Sequence, residues 1–155
     1  MRTIRRRIEV DATPEAAFRA CLRLLTDADP ARGVVERTCR PQPPRKGSVI
    51  LTTVADSKGE RRLRARIVEL DAPRLLTTAS EDDGPAVRTG LIVEPSRGGS
   101  LITLRSEATT ALGVSPRITG IVDRTLLARA QRRAARATLR RLRELVGEPS
   151  AAGAS

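Results

Sequence analysis

The chain has 155 residues, 39% of them apolar and 30% charged, with 29 lysines and arginines against 18 aspartates and glutamates for a formal net charge of +11. That length and balance fit one folded domain with a core of its own rather than a disordered chain. There is no His, Tyr or Trp, and Phe18 is the sole aromatic residue, which excludes histidine acid–base catalysis, histidine-containing metal sites, serine–histidine triads and aromatic platforms for single-stranded nucleic acid.

Residues 3–10 alternate loosely as a first strand and meet Asp11-Ala12-Thr13-Pro14-Glu15, where Thr13 can cap a helix and Pro14 can take its first position. The helix is expected over residues 14–25, with Ala17, Phe18, Cys21, Leu22, Leu24 and Leu25 on the face that packs against a sheet. Asp27, Asp29, Pro30 and Gly33 then break the pattern. From Val34 the period changes, and six strands are expected over residues 34–40, 48–55, 60–70, 74–80, 86–94 and 100–109, separated by Pro-, Asp- and Gly-rich turns. In the strand over 60–70, Leu63, Ala65 and Ile67 face one way and Arg62, Arg64 and Arg66 the other. Short loops between successive strands imply an antiparallel meander, which can leave one face wet.

Residues 116–146 read as one long amphipathic helix, closed by Gly147. Arg129, Arg132, Arg133, Arg136, Arg140 and Arg143 share one arc, and Leu127, Ala128, Ala134, Ala135, Leu139, Leu142, Leu145 and Val146 fill the opposite one. Arg124, Gln131 and Thr138 interrupt the apolar arc at a constant spacing of seven. Inward polar groups need partners, and the alanines beside them leave room where a close-packed core would hold leucine. This face is therefore expected to be one wall of a cavity. Residues 148–155 are small and polar and are expected to form a disordered tail after a single domain over 1–147.

The order of strand, capped helix, six antiparallel strands and long closing helix resembles the START-like (SRPBCC) superfamily, the helix-grip proteins that include polyketide cyclase/dehydrase-like proteins and Bet v 1 allergens. The matching residues are Ile8-Glu9-Val10-Asp11-Ala12-Thr13-Pro14-Glu15, the strand–turn–strand Ile67-Val68-Glu69-Leu70-Asp71-Ala72-Pro73-Arg74-Leu75-Leu76, and Gly98-Gly99 before the penultimate strand. The resemblance implies an α+β fold, with a curved antiparallel sheet of six to seven strands wrapped around a long C-terminal helix, and a short N-terminal helix. It also implies a cavity between sheet and helix that takes up a hydrophobic or amphipathic small molecule, with a reaction in some members only. The tryptophans and tyrosines that line aromatic cyclase pockets are missing here.

The candidate ligand-binding residues are Arg124, Gln131 and Thr138 with Leu127, Ala128 and Ala134 on the helix, and Leu63, Ala65, Ile67, Thr77, Thr89 and Leu91 on the strands. Arg124 would pair with a ligand carboxylate or phosphate, or else with Asp123 or Glu107. Ala79, Leu104 and Ser106 belong to strands whose parity the sequence leaves open. No carboxylate pair can be assigned as acid and base; Glu69 and Glu107 reach inward only where a bulge shifts the register.

The leading expectation is a binding protein for a lipid, polyketide or isoprenoid-type molecule, with no cofactor and no metal site. One alternative is a cyclase-like enzyme using an inner arginine to stabilise an enolate or oxyanion. Another is an interaction protein, toxin–antitoxin-like or nucleic-acid-binding, whose arginine stripe meets an acidic partner, nucleic acid or an anionic surface. Cys21 and Cys39 lack metal-ligand spacing and are expected to be reduced, partly buried thiols. No apolar run reaches the roughly 20 residues that span a bilayer, and the opening MRTIRRRIEV has no signal-like apolar stretch; the expected location is cytoplasmic.

Overall fold

The computed structural model describes residues 2–82, 86–109 and 121–147, the last span with its side chains from Ala128 onward. Strand β1 (Arg2–Val10) runs into helix α1 (Pro14–Thr26). The cap read from the sequence is in place: Thr13 Oγ1 accepts from the Ala16 N–H at 3.2 Å, with Pro14 in the first turn. Helix α1 buries Ala17, Phe18, Ala20 and Cys21 and stops at Asp27, where an Arg23–Asp27 ion pair of 2.9 Å closes its last turn. A single 3-10 turn (Pro30–Arg32) then leads to Gly33, whose φ of 81° carries the chain into the sheet. A Cβ on Gly33 would stand 2.7 Å from the Ala55 carbonyl oxygen, so glycine is required there on two counts.

Six strands follow: β2 (Val34–Arg40), β3 (Val49–Asp56), β4 (Gly59–Asp71), β5 (Leu75–Ser80), β6 (Ala86–Ser96) and β7 (Gly99–Thr109). Every pairing is antiparallel and the order across the sheet is β1-β7-β6-β5-β4-β3-β2. The meander expected from the short turns thus forms the body of the sheet, and β1 joins it beside β7. Helix α2 (Ile121–Gly147) closes the concave face. The fold is the helix grip, seven strands around a C-terminal helix.

Two features set the shape of the interior. The β6–β7 hairpin presses on the β1–α1 junction: Ser100 Oγ donates to the Ala12 carbonyl at 2.7 Å, and a Cβ at Gly99 would lie 2.4 Å from the Val10 carbonyl oxygen. Helix α2, for its part, rests chiefly on α1, β1 and β7. Its residues Ala135, Leu139, Leu142 and Leu145 join Phe18, Ile67, Leu76, Val93, Ile102 and Leu104 in the core. Full burial of each such leucine contributes about 1.5–3 kcal/mol, which holds the helix to one end of the sheet. Among the described residues, the rest of the concave face is left uncovered by packed side chains of the helix above it.

Candidate functional site

Under α2 that uncovered face encloses two adjoining lobes. The first, of about 420 Å³, runs from Leu24 and Leu25 of α1 across Ile50, Thr52, Ala65, Leu76, Thr78, Thr89 and Leu91 of the sheet to Ala134, Ala137, Thr138 and Arg141 of α2. The second, of about 280 Å³, lies between Val87, Leu104, Ser106 and Ala108 of the sheet and Ala130, Gln131 and Ala135 of the helix. Thr89, Ala134 and Thr138 line both lobes and form the passage between them. Ala134 faces this space and is nevertheless exposed, and Leu24, Leu25, Thr52 and Ala65 are half-buried although they face inward. Solvent therefore reaches the interior.

The local cause is a division of labour on α2. Its leucines follow one stripe into the core, while Ala130, Ala134, Ala137 and Arg141 follow the neighbouring stripe at helical spacing. A methyl side chain on that stripe stops short of the sheet, and the strands opposite offer hydroxyls and small aliphatics. The wall is apolar with a few polar groups, the composition of small-molecule sites.

Among the residues singled out by the sequence, the structure brings Ala65, Thr89, Leu91, Gln131, Ala134 and Thr138 to the lobes. Gln131 Nε2 is engaged: it donates to the Ser106 carbonyl at 3.0 Å and to Ser106 Oγ at 3.2 Å, tying α2 to β7. Ala128 is buried and Ile67 is fully buried in the core, and neither lines a lobe. Leu63 shares the inward parity through its pairing with Thr52, but lies toward the open end of β4, 39% exposed and outside the lining. Arg124, Leu127 and Asp123 have side chains outside the described residues, as does the tail from 148 onward.

Thr77 needs correcting. Leu76 and Thr78 point into the cavity, so Thr77 points out of the convex face, into a groove it shares with Glu69, Leu75, Arg88, Gly90 and Ile92. Ala79, opposite Arg88, shares that outward parity. Glu69 and Glu107 are on the same outer face, where Glu69 meets Arg88 at 2.8 Å and Glu107 meets Arg105 at 2.6 Å. The bulge is present but acts in the opposite sense. Strict alternation from the inward Ile67 would turn Glu69 inward, whereas the extra residue Val68 turns Glu69 out and Leu70 in.

The sequence reading missed the charged end of the first lobe. Arg37 of β2 lines it, opposite Thr52 across the β2–β3 ladder. Its Nη1 donates to the Leu24 carbonyl and its Nε to Thr52 Oγ1 at 3.3 Å. Burial lowers the pKa of its guanidinium from the ordinary value. Beside it, Asp29 pairs with Arg32 at 2.8 Å and with Arg141 at 3.7 Å, and Glu144 pairs with Arg32 at 2.8 Å and Arg141 at 3.3 Å. This four-residue clasp joins the end of α2 to the α1–β2 connection. The Arg32 guanidinium, with Arg141 behind it, holds the Glu144 carboxyl below its ordinary pKa. A sequence signal for Arg37 did exist, because it shares the parity of the inward Cys39 two residues later.

Elsewhere the chemistry is quiet. Burial pushes the Cys21 thiol up to about 12 and raises that of Cys39, so neither is a ready nucleophile. Among the described residues no group of His, Cys, Asp and Glu could hold a metal ion, and no helix is long and apolar enough to cross a membrane. Arg129, Arg132, Arg133, Arg136, Arg140 and Arg143 are exposed along the outer face of α2.

A helix grip enclosing an apolar, solvent-connected cavity defines a class of hydrophobic-ligand-binding folds. Residues 1–147 match the polyketide cyclase / dehydrase and lipid transport family, and the chain belongs to that family. Solved structures with the same fold include the di-domain ARO/CYC protein StfQ of the steffimycin biosynthetic pathway, at 15% identity and a TM-score of 0.72 over 94% of this chain. They also include Ara h 8.0201, at 13% identity and a TM-score of 0.72 over 94% of this chain and 97% of that one. SA2116 from Staphylococcus aureus aligns at 9% identity and a TM-score of 0.74, over 94% of this chain and 93% of that one. The chain spans 50% of the length of StfQ. No curated protein sequence matches it.

Proposed function

We propose that this protein binds a hydrophobic or amphipathic small molecule of lipid, polyketide or isoprenoid type in the two lobes beneath α2. The observation that carries the reading is the alanine stripe of α2, which leaves a connected, solvent-reachable space beside a well-packed leucine core. Family membership and the fold shared with cyclases and Ara h 8.0201 support it. Thr78, Thr89 and Thr138 supply hydroxyls along the path for a carbonyl or hydroxyl of the ligand.

Binding is favoured over catalysis by the inventory of the first lobe. Asp29 is the one carboxylate among its described lining residues, and it is committed to two arginines. The other charged lining groups are guanidiniums, which do not exchange protons near neutral pH. Acid–base assistance of a cyclisation would need a group that does. A transport or sensing role is the reading this inventory supports.

The test is native mass spectrometry of the freshly purified protein, with organic extraction of anything retained, on wild type and on Ala134→Phe. The phenyl group would fill the passage between the lobes. A lipid-like mass, or uptake of an apolar fluorescent probe, that disappears in Ala134→Phe supports the reading. Uptake indifferent to Ala134→Phe rejects it.

A further inference from the structure

The charges at the mouth of the first lobe do not balance, and the imbalance specifies a ligand. Arg32, Arg37 and Arg141 bring three positive charges; Asp29 and Glu144 bring two negative ones, both spent on Arg32 and Arg141. Arg37 forms no salt bridge with a carboxylate among the described residues; Asp29, and Asp27 with its own partner Arg23 at 2.9 Å, act on it only through space. Its Nε and Nη1 are held by Thr52 and by the end of α1, while Nη2 makes no hydrogen bond to a described residue. A guanidinium so placed bears a desolvation cost that neutral acceptors offset only in part. Two of its nitrogens are fixed by the protein, so it is already oriented before anything binds.

We infer that Arg37 is the anchor for the anionic head of an amphipathic monocarboxylate whose apolar tail runs past Thr138 and Ala134 toward the second lobe. This rests on the cavity being a ligand site and adds to it the class of ligand and its direction. One surplus positive charge matches one carboxylate; a phosphate dianion would overcharge the mouth. The clasp beside Arg37 serves the same end, because Asp29 and Glu144 are paired with Arg32 and Arg141 and leave Arg37 as the arginine of this lining without an ion pair among the described residues. The tail meets Leu76, Leu91 and the alanines of α2, and no further charged side chain is known along that path among the described lining residues.

Isothermal titration of the full-length protein with decanoate, decanol and decyl phosphate tests this. Wild type should bind decanoate at least tenfold more tightly than decanol, and more tightly than decyl phosphate. Arg37→Met should make decanoate and decanol equal, and Arg37→Lys, which keeps the charge without the fork, should retain part of the preference. Should Arg37→Met fail to fold, wild type and Arg37→Lys still decide. Equal binding of decanoate and decanol by wild type, with both lost in Ala134→Phe, overturns the carboxylate anchor and leaves the cavity reading standing. A preference that survives Arg37→Met, or tighter binding of decyl phosphate, also overturns the anchor. If none of the three binds, the cavity reading falls and the anchor with it.

Discussion

Two stripes of one helix have opposite consequences. Leu139, Leu142 and Leu145 of α2 complete the core, whereas Ala130, Ala134 and Ala137, one helical step around, leave a void of several hundred cubic ångströms. Both stripes are apolar, and a count of hydrophobic residues would not separate them. Side-chain length does, because the distance between helix and sheet is set once by the leucines and whatever cannot span it leaves space. Stability and the proposed binding are thus assigned to neighbouring residues and should separate under mutation.

The sharpest break of that separation is Leu142→Ala. Leu142 is fully buried in the core, so the substitution should cost about 2–5 kcal/mol in urea unfolding while the folded fraction keeps its ligand preference. A loss below 1 kcal/mol would mean the leucine stripe does not hold the helix. Next comes Gln131→Leu, which removes the two donations to Ser106 and should cost about 1 kcal/mol, with a smaller effect if water entering the second lobe satisfies Ser106. Ala134→Phe inverts the pattern: stability should change by less than about 1 kcal/mol, because the ring enters empty space, and ligand uptake should vanish. A variant that loses both together would show the two stripes to be one unit.

The smallest effect belongs to the clasp. The folded-state pKa of Glu144 lies below its ordinary value of 4.5 because Arg32 and Arg141 favour the carboxylate. Its contribution is therefore present from neutral pH down to about 4.5 and is lost as pH falls through the lowered folded value. Glu144→Gln should leave thermal stability near neutral pH almost unchanged, since exposed pairs contribute little, and should flatten the decline of stability in acid. An acid decline as steep as in wild type would show that the clasp is not part of it.

Much of the architecture was legible locally. Thr13-Pro14 marks the start of α1, the alternation of Arg62, Arg64 and Arg66 with Leu63, Ala65 and Ile67 marks the wet and dry faces of β4, and Gly99 marks a turn. The placing of Thr77 and Glu69 was not legible. Leu75-Leu76-Thr77-Thr78 permits either parity, and one extra residue at Val68 reverses the faces beyond it, a choice made by partner strands and not by the strand itself. Arg37 was hidden in the same way, as one arginine among many, because what distinguishes it is the carbonyl of Leu24 and the hydroxyl of Thr52 meeting it from other elements.

From the sequence alone came the periodicities: which segments are strand or helix, where they turn, and that one face of α2 is short-chained and the other cationic. These are properties of neighbours along the chain, decided by spacing and by the small menu of backbone geometries. The tertiary structure alone decided that α2 would lean on β1, β7 and α1, which of its alanines would border the lobes, and that Arg37 would stand at their mouth without an ion pair among the described residues. Those depend on distances between elements far apart in sequence, which the packing of the leucine core sets and no local pattern encodes.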